Sequence, residues 1–135
     1  SILMHGIAVS PGKPTILAKV LGKPVWGLPG HAASAMVVFD RVVRPFLRHM
    51  AGVAAPAGDE IRLPALLSRN LASAQGRTDF ARVRLVRRDG RWWAEPVLGK
   101  SGLLNTMIAS DGLVEVPKNV EGLDEGAPVD VIVFN

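Results

Sequence analysis

Two short stretches near the start of the chain have the residue types of an anion site. The first, residues 10–14 (Ser-Pro-Gly-Lys-Pro), is a turn stiffened by two prolines that contains one lysine. The second, residues 27–34 (Gly-Leu-Pro-Gly-His-Ala-Ala-Ser), is a turn that leads into a long amphipathic pattern. An ammonium group and the N-terminal end of a helix both attract anions, so the pair predicts an oxyanion site. Alone, the first stretch predicts only a turn.

The same stretches do not fit the common nucleotide-binding motifs. A phosphate-binding loop needs a glycine five residues before its Gly-Lys pair and a Ser or Thr after it. Before Gly22-Lys23 that position is Leu17, and the residue that follows is Pro24. The glycines at 27 and 30 are too close together for a dinucleotide fingerprint. The three histidines lack metal-ligand spacing, so we expect no histidine metal site. A Ser-His-Asp catalytic set is equally weak, because it can be assembled only without regard to position.

The composition describes a folded protein and excludes several classes. The chain has 135 residues, of which 48% are hydrophobic, and no cysteine. Disulfides and thiolate metal sites are therefore excluded, and we expect a cytoplasmic protein. No apolar run approaches the roughly 18 residues of a membrane-spanning helix, so we expect no membrane partner. Aromatic residues make up only 5% and tyrosine is absent, so we expect no nucleic-acid partner.

Basic residues are concentrated in two regions. Residues 1–50 have six basic residues against one acid, a net charge of +5, and residues 77–91 have six against two, a net charge of +4. The two regions are either solvated faces or two walls of one anion site. In the second region, Arg77 and Arg82 are the candidate guanidinium groups. Residues 99–102 (Gly-Lys-Ser-Gly) form a further candidate anion loop, with an ordinary turn as the alternative.

Short strands and one long helix must position the groups in the first part of the chain. Residues 6–9, 15–21 and 24–28 are β-type and are separated by turns. Residues 31–50 have apolar residues at intervals of three and four, which predicts a helix with a kink at Pro45. Its apolar face is predicted to consist of Ala32, Ala35, Met36, Phe39, Val42, Val43, Phe46, Leu47 and Met50.

The second half has the pattern of a small all-β domain. Small residues at 51–58 indicate a boundary that divides the chain into residues 1–52 and 53–135. The alternation over residues 80–87 predicts a strand, and Asp89-Gly90 predicts a tight hairpin turn. Further predicted elements are strands at 61–63, 92–95, 113–117 and 129–134 and a short helix at 103–108. Many short strands separated by turns predict a small β-barrel or a β-sandwich.

Taken in order, these motifs resemble the C-terminal part of the MoeA/gephyrin family of molybdopterin molybdotransferases. The resemblance rests first on residues 5–14, 27–35 and 43–47. The later motifs follow in the family's order: Ala51-Gly52, Gly76-Arg77 with residues 80–83, residues 101–104, residues 109–113 and Pro117. The resemblance covers nearly the whole chain, and the ordered set is more specific than any single motif.

The resemblance implies a fold class of two parts. Residues 1–52 would be an α/β fragment, the end of a three-layer doubly wound molybdopterin-binding domain, and residues 53–135 would be an all-β small barrel. Family members are homodimers that insert molybdate into adenylylated molybdopterin with magnesium and release AMP. Molybdopterin adenylyltransferase supplies that substrate. The active site lies between the α/β domain of one subunit and the C-terminal domain of the other.

The resemblance also implies which residues bind molybdate and cofactor. Lys13 and Pro14 match the family's Pro-Gly-Lys-Pro element, and Ser34 matches the serine of its Leu-Pro-Gly-Asn-Pro-Val-Ser element. Arg77 and Ser101 match residues that the other side of the cleft brings to the oxyanion. A tetrahedral dianion suits one ammonium group, one guanidinium group and hydroxyl donors. With the turn glycine, the implied set is Lys13, Pro14, Gly30, Ser34, Arg77 and Ser101.

This chain departs from the family pattern in three ways. Ser10 stands where many members have a second lysine, which lowers the positive charge near the oxyanion. Residues 31–33 (His-Ala-Ala) replace Asn-Pro-Val. The family's catalytic and magnesium-binding acidic residues are expected upstream of Ser1, so we expect no metal ligands in this chain and no activity of the chain alone. The alternative function is a non-catalytic assembly or interaction module built on the same fold.

Overall fold

A three-stranded antiparallel sheet begins the chain in a computed structural model, which describes residues 1–54, 60–99 and 104–134. The sheet has the order β1-β3-β4, with β1 at Ile2–His5, β3 at Ile16–Val20 and β4 at Lys23–Gly27. The short strand β2 (Val9–Ser10) leaves this sheet and pairs with a strand of the second half. The predicted strands at 15–21 and 24–28 are therefore confirmed, whereas residues 6–8 lie between strands and the stretch predicted at 6–9 shares only Val9 with β2.

One continuous helical segment follows in three parts. These are α1 (Ala32–Val38), a π-helical turn (Phe39–Val43) and α2 (Arg44–Met50). Pro45 has no N–H to donate within the helix, and the wider turn lies immediately before it, where the Arg44 N–H donates to the Phe39 carbonyl. The predicted kink therefore takes the form of a π-helical turn. Within the described residues, no helix is long and apolar enough to cross a membrane.

The second half forms a closed barrel. Its elements are β5 (Arg62–Leu67), β6 (Leu71–Ala72), β7 (Thr78–Arg88), β8 (Arg91–Pro96), α3 (Leu104–Ile108), β9 (Gly112–Val116), β10 (Gly122–Leu123) and β11 (Pro128–Val133). Five strands follow one another in the order β7-β8-β5-β11-β9, and β9 pairs back onto β7 to close the ring. The long strand β7 makes closure feasible, because one part of it pairs with β8 and another with β9. The all-β small barrel of the predicted fold class is confirmed.

The turn between β7 and β8 is the predicted hairpin. Asp89 and Gly90 have φ angles of 51° and 75°, the positive values that a two-residue type I′ turn requires at both central positions. The predicted short helix is also present as α3. The predicted domain boundary at residues 51–58 lies partly outside the described residues and stays a prediction.

Two apolar clusters form the core, one inside the barrel and one between the barrel and the helix. The barrel interior contains Ala65, Leu67, Val83, Ala94, Val114 and Val131. Side chains alternate along a strand, so Leu113 and Ile132 face the outside of the barrel, where Val37 of α1 packs against them. The helix therefore packs on the outer surface of the barrel.

The buried face of the helix differs from the prediction. Of the predicted apolar face, only Val43 is fully buried, whereas Met36 and Phe39 are about half exposed. The buried residues are Ala33, Ser34, Val37, Val38 and Val43. The predicted face was wrong because the helix has two apolar stripes, and contact with the barrel selects the one that contains Val37.

Candidate functional site

The loop that contains Lys13 is held by four hydrogen bonds. The Gly6 N–H donates to the Thr15 carbonyl (2.8 Å) and the Ile7 N–H to the Lys13 carbonyl (3.0 Å). The N–H and Oγ1 of Thr15 both donate to the Gly12 carbonyl, at 3.1 and 2.7 Å. Thr15 is fully buried, whereas Lys13 is exposed. The backbone of the loop is thus fixed while the Lys13 side chain stays in solvent.

The loop also packs directly on the helix. Gly12 has a φ of +132°, and a Cβ at this position would lie 2.4 Å from Cγ2 of Val38. Only glycine fits there. Ser34, which is 4% exposed, lies four residues before Val38 and therefore on the same face, one turn or about 5.4 Å away along the helix axis. The structure brings the helix turn containing Ser34 towards the Lys13 loop, and the role of Ser34 stays a prediction.

The turn before the helix is open to solvent. Gly30 is exposed, and no described atom lies within 4 Å of the place where its Cβ would be. Packing therefore does not require glycine at this position. His31, the first residue of the replaced Asn-Pro-Val segment, makes no side-chain capping hydrogen bond in the described chain. Pro14 is likewise exposed. The binding roles predicted for Gly30 and Pro14 stay predictions.

Strand β2 brings the second basic region to the Lys13 loop. It pairs with β7 in parallel, with Val9 opposite Thr78 and Ser10 opposite Asp79. The Thr78 N–H donates to the Ala8 carbonyl (2.9 Å), which extends the pairing by one residue. Arg77 therefore lies beside the start of the Lys13 loop within one chain, whereas the resemblance placed it on the other side of a cleft between subunits.

Arg77 is engaged in an ion pair. Its Nε lies 3.1 Å from Oδ1 of Asp79, and the Ser73 hydroxyl donates to Oδ2 of the same carboxylate. The side chain of Asp79 is 14% exposed and that of Arg77 is 49% exposed. Asp79 is not among the residues predicted from the sequence, because the bend at Arg77, just before β7, is what lets the two side chains meet.

Arg82 is the more exceptional of the two candidate arginines. Its Nη2 donates to the Gly99 carbonyl at 3.4 Å, and its Nη1 is buried without a hydrogen-bond partner in the part of the chain that the structure describes. Burial lowers the pKa of the Arg82 guanidinium. A buried N–H that lacks a partner favours a bound anion. The neighbouring candidate Ser101, with most of residues 99–102, lies outside the described residues.

An ion-pair network joins the helix to the barrel next to this site. Arg41 of the π-helical turn donates from Nη1 to Glu60, and its guanidinium lies 5.6 Å from the ring centroid of Phe80. Burial raises the pKa of Glu60, but hydrogen bonds and charges from Arg41 and Arg62 outweigh this and the pKa is lowered. Sequence patterns could not indicate the pair of Arg41 and Glu60, because the two residues lie 19 positions apart.

Metal-binding clusters are not found in the described ranges, residues 1–54, 60–99 and 104–134, which have no group of three or more His, Asp or Glu side chains placed to hold an ion. These residues therefore do not fit a magnesium site. What they do provide is a fixed loop with one exposed lysine, a helix turn with a buried serine, and two arginines, Arg77 just before β7 and Arg82 within it.

Comparison with known families agrees with this arrangement. Residues 64–134, more than half of the chain, match the family model described as the MoeA C-terminal region, domain IV. The chain belongs to the MoeA family. Residues 1–49 match a second model, described as "Probable molybdopterin binding domain". In this MoeA chain, the two matches correspond to the α/β start and to the barrel.

Solved structures and curated relatives of the MoeA family cover almost all of the chain. A molybdopterin biosynthesis MoeA protein from Pyrococcus horikoshii is 39% identical with a TM-score of 0.79, over 99% of this chain and 32% of its own. A molybdenum cofactor biosynthesis protein from Pyrococcus furiosus is 28% identical with a TM-score of 0.82, over 99% of this chain and 46% of its own.

A relative in Mycobacterium tuberculosis, molybdopterin molybdenumtransferase 2, is 30% identical over 93% of this chain and 30% of its own length. The chain thus spans about a third of the length of this relative.

Proposed function

We propose that this chain is part of a molybdopterin molybdotransferase that acts in molybdenum cofactor biosynthesis. The whole protein would insert molybdate into adenylylated molybdopterin and release AMP. Membership of the MoeA family and the name of the Mycobacterium tuberculosis relative support this proposal. The observation that carries it is the fixed loop that presents the exposed Lys13 and packs through Gly12 on Val38 of the helix.

In this proposal the residues of the chain bind and orient the oxyanion. The Lys13 ammonium attracts the tetrahedral dianion, and Ser34 offers a hydroxyl donor. Arg77, immediately before β7, adds a guanidinium donor, and the unpartnered Nη1 of Arg82 within β7 would gain an acceptor from an anion bound there. Because hydrogen bonds and packing fix the Lys13 loop before binding, little ordering is needed when the anion arrives. Ser101 remains a candidate donor outside the described residues.

Other components would come from outside this chain. We propose that the catalytic acids and the magnesium ligands belong to the remaining part of the protein, so the chain alone is inactive. We also propose a homodimer supplied with substrate by molybdopterin adenylyltransferase. A groove of about 820 Å³ between helix and barrel, lined by Met36, Phe39, Ile108 and Phe134 among others, supports burial of this face against further protein. Light scattering coupled to size exclusion tests the dimer, and a monomeric whole protein would contradict it.

The decisive experiment measures molybdate-dependent release of AMP from adenylylated molybdopterin by the full-length protein. Lys13→Ala is expected to abolish this release, because it removes the exposed ammonium from the fixed loop. Lys23→Ala is the matched control: Lys23 is also exposed, but it lies at the far end of the β3–β4 hairpin, roughly 16 Å from the loop for five residues at about 3.3 Å each. Equal activity of the two variants would refute the oxyanion assignment.

The groove also favours the second candidate function, a non-catalytic assembly module. The two functions differ in their dependence on the basic residues. A molybdotransferase loses activity when Lys13 and Arg77 are replaced by alanine, while the dimer stays intact. An assembly module keeps its assembly in both variants and shows no molybdate-dependent release of AMP in the wild-type protein.

A further inference from the structure

Asp79 connects the two basic regions of the molecule. In the β2–β7 pairing its backbone lies opposite Ser10, the first residue of the Lys13 loop. Its largely buried carboxylate accepts from the Ser73 hydroxyl and lies 3.1 Å from Nε of Arg77. We propose that Asp79 is a positioning residue that fixes the Arg77 guanidinium for the oxyanion, an inference that rests on the proposed function.

Asp79 contacts only the Nε side of the Arg77 guanidinium, which leaves the amino groups of the arginine for an anion. The ion pair is made through Nε of Arg77, and the guanidinium has no other ion-pair or hydrogen-bond partner among the residues described. An arginine has five N–H donors in a rigid plane. The ion pair holds the Nε side of the guanidinium at the Asp79 carboxylate, and the half-exposed side chain leaves its two amino groups available to an anion.

The pairing of β2 with β7 places the Arg77 guanidinium on the side of the Lys13 loop. Arg77 lies at a bend immediately before β7, and its ion pair with Asp79 shows that the two side chains lie on the same side of the strand. Ser10 lies opposite Asp79 in the parallel pair and shares that face. The serine hydroxyl of Ser73 holds the other carboxylate oxygen, so Asp79 cannot turn away without losing a hydrogen bond.

Charge and positioning predict opposite effects of removing this carboxylate. A negative charge beside an anion site repels the anion, so by charge alone Asp79→Asn would tighten binding. If Asp79 positions Arg77, the same substitution weakens binding, and it does so only while Arg77 is present. A double-mutant cycle between the two residues therefore separates the explanations.

The test is isothermal titration of the full-length protein with sodium molybdate. We expect Asp79→Asn to weaken binding about tenfold in the wild-type background and less than about twofold in the Arg77→Ala background. Asp130→Asn, an exposed residue of β11 with the same charge change, is the control and should leave the affinity unchanged. Unchanged or tighter binding by Asp79→Asn, or equal weakening in both backgrounds, would overturn the inference.

A second measurement needs no ligand. In the NMR spectrum of the full-length protein without ligand, the Arg77 side-chain Nε should be rigid in the wild type and mobile in Asp79→Asn. Equal mobility in both, with unchanged melting temperatures, would also overturn the inference. The proposed function fails separately: if Lys13→Ala leaves molybdate affinity unchanged, the oxyanion site itself is refuted, and a wild-type full-length protein that binds no molybdate refutes both.

Discussion

The backbone of Gly12 lies directly against the side chain of Val38. A Cβ at Gly12 would stand 2.4 Å from Cγ2 of Val38, a separation that real Cβ contacts do not reach. The Lys13 loop therefore packs directly on the helix, and the position of Lys13 depends on the position of the helix.

Replacing Gly12 tests the packing of the Lys13 loop on the helix. Gly12→Ala is expected to lower the free energy of unfolding by about 1–3 kcal/mol, because it adds a clash and places alanine at a φ of +132°. Urea unfolding provides the measurement. Gly30→Ala is the matched control, since its Cβ would meet no described atom within 4 Å, and its effect should stay within about 0.5 kcal/mol. Equal stability of the two variants would show that the loop does not pack on the helix.

The contact between helix and barrel can be tested at neighbouring positions. Val37→Ala is expected to cost about 2 kcal/mol, because Val37 is buried against Leu113 and Ile132. Met36→Ala removes a larger side chain that is half exposed, so it should change the unfolding free energy by less than about 0.5 kcal/mol. The reverse order would show that the predicted apolar face, which contains Met36, is the buried one.

Acid should weaken the network around Glu60. The pKa of Glu60 in the folded chain is below the usual 4.5, so its ion pairs stabilise the fold above pH 4.5 and this contribution is lost as the pH falls through the lowered value. Glu60→Gln is expected to be up to about 1 kcal/mol less stable than wild type at neutral pH, with the difference vanishing in strong acid. Unfolding curves at both pH values measure this, and a pH-independent difference would contradict the assignment.

Arg82 should contribute to oxyanion binding, because its buried Nη1 has no partner within the described structure. Arg82→Ala is expected to weaken molybdate binding about tenfold in calorimetric titration, the usual scale for one charge-assisted hydrogen bond. Arg84 lies two residues further along β7 and is exposed, so Arg84→Ala is the control for loss of one positive charge. Equal losses would point to a general effect of charge and not to the buried donor.

Local patterns were sufficient where the structure depends on neighbours in the chain. The Asp89-Gly90 turn, the long helix and the short strands of the barrel all follow from turn chemistry and periodicity within a few residues. The order of short motifs was likewise enough to identify the family, since it needs no coordinates.

The sequence by itself thus determined the types of the elements, the presence of a lysine on a proline–glycine turn and the relationship to the MoeA family. The tertiary structure alone decided which stripe of the helix is buried, that β2 joins the barrel strand β7, and that Asp79 pairs with Arg77 beside the lysine loop. The physical reason is the distance along the chain over which each interaction acts. Turn and helix preferences act over a few residues, whereas burial and ion pairing depend on which distant segments the closed barrel brings into contact.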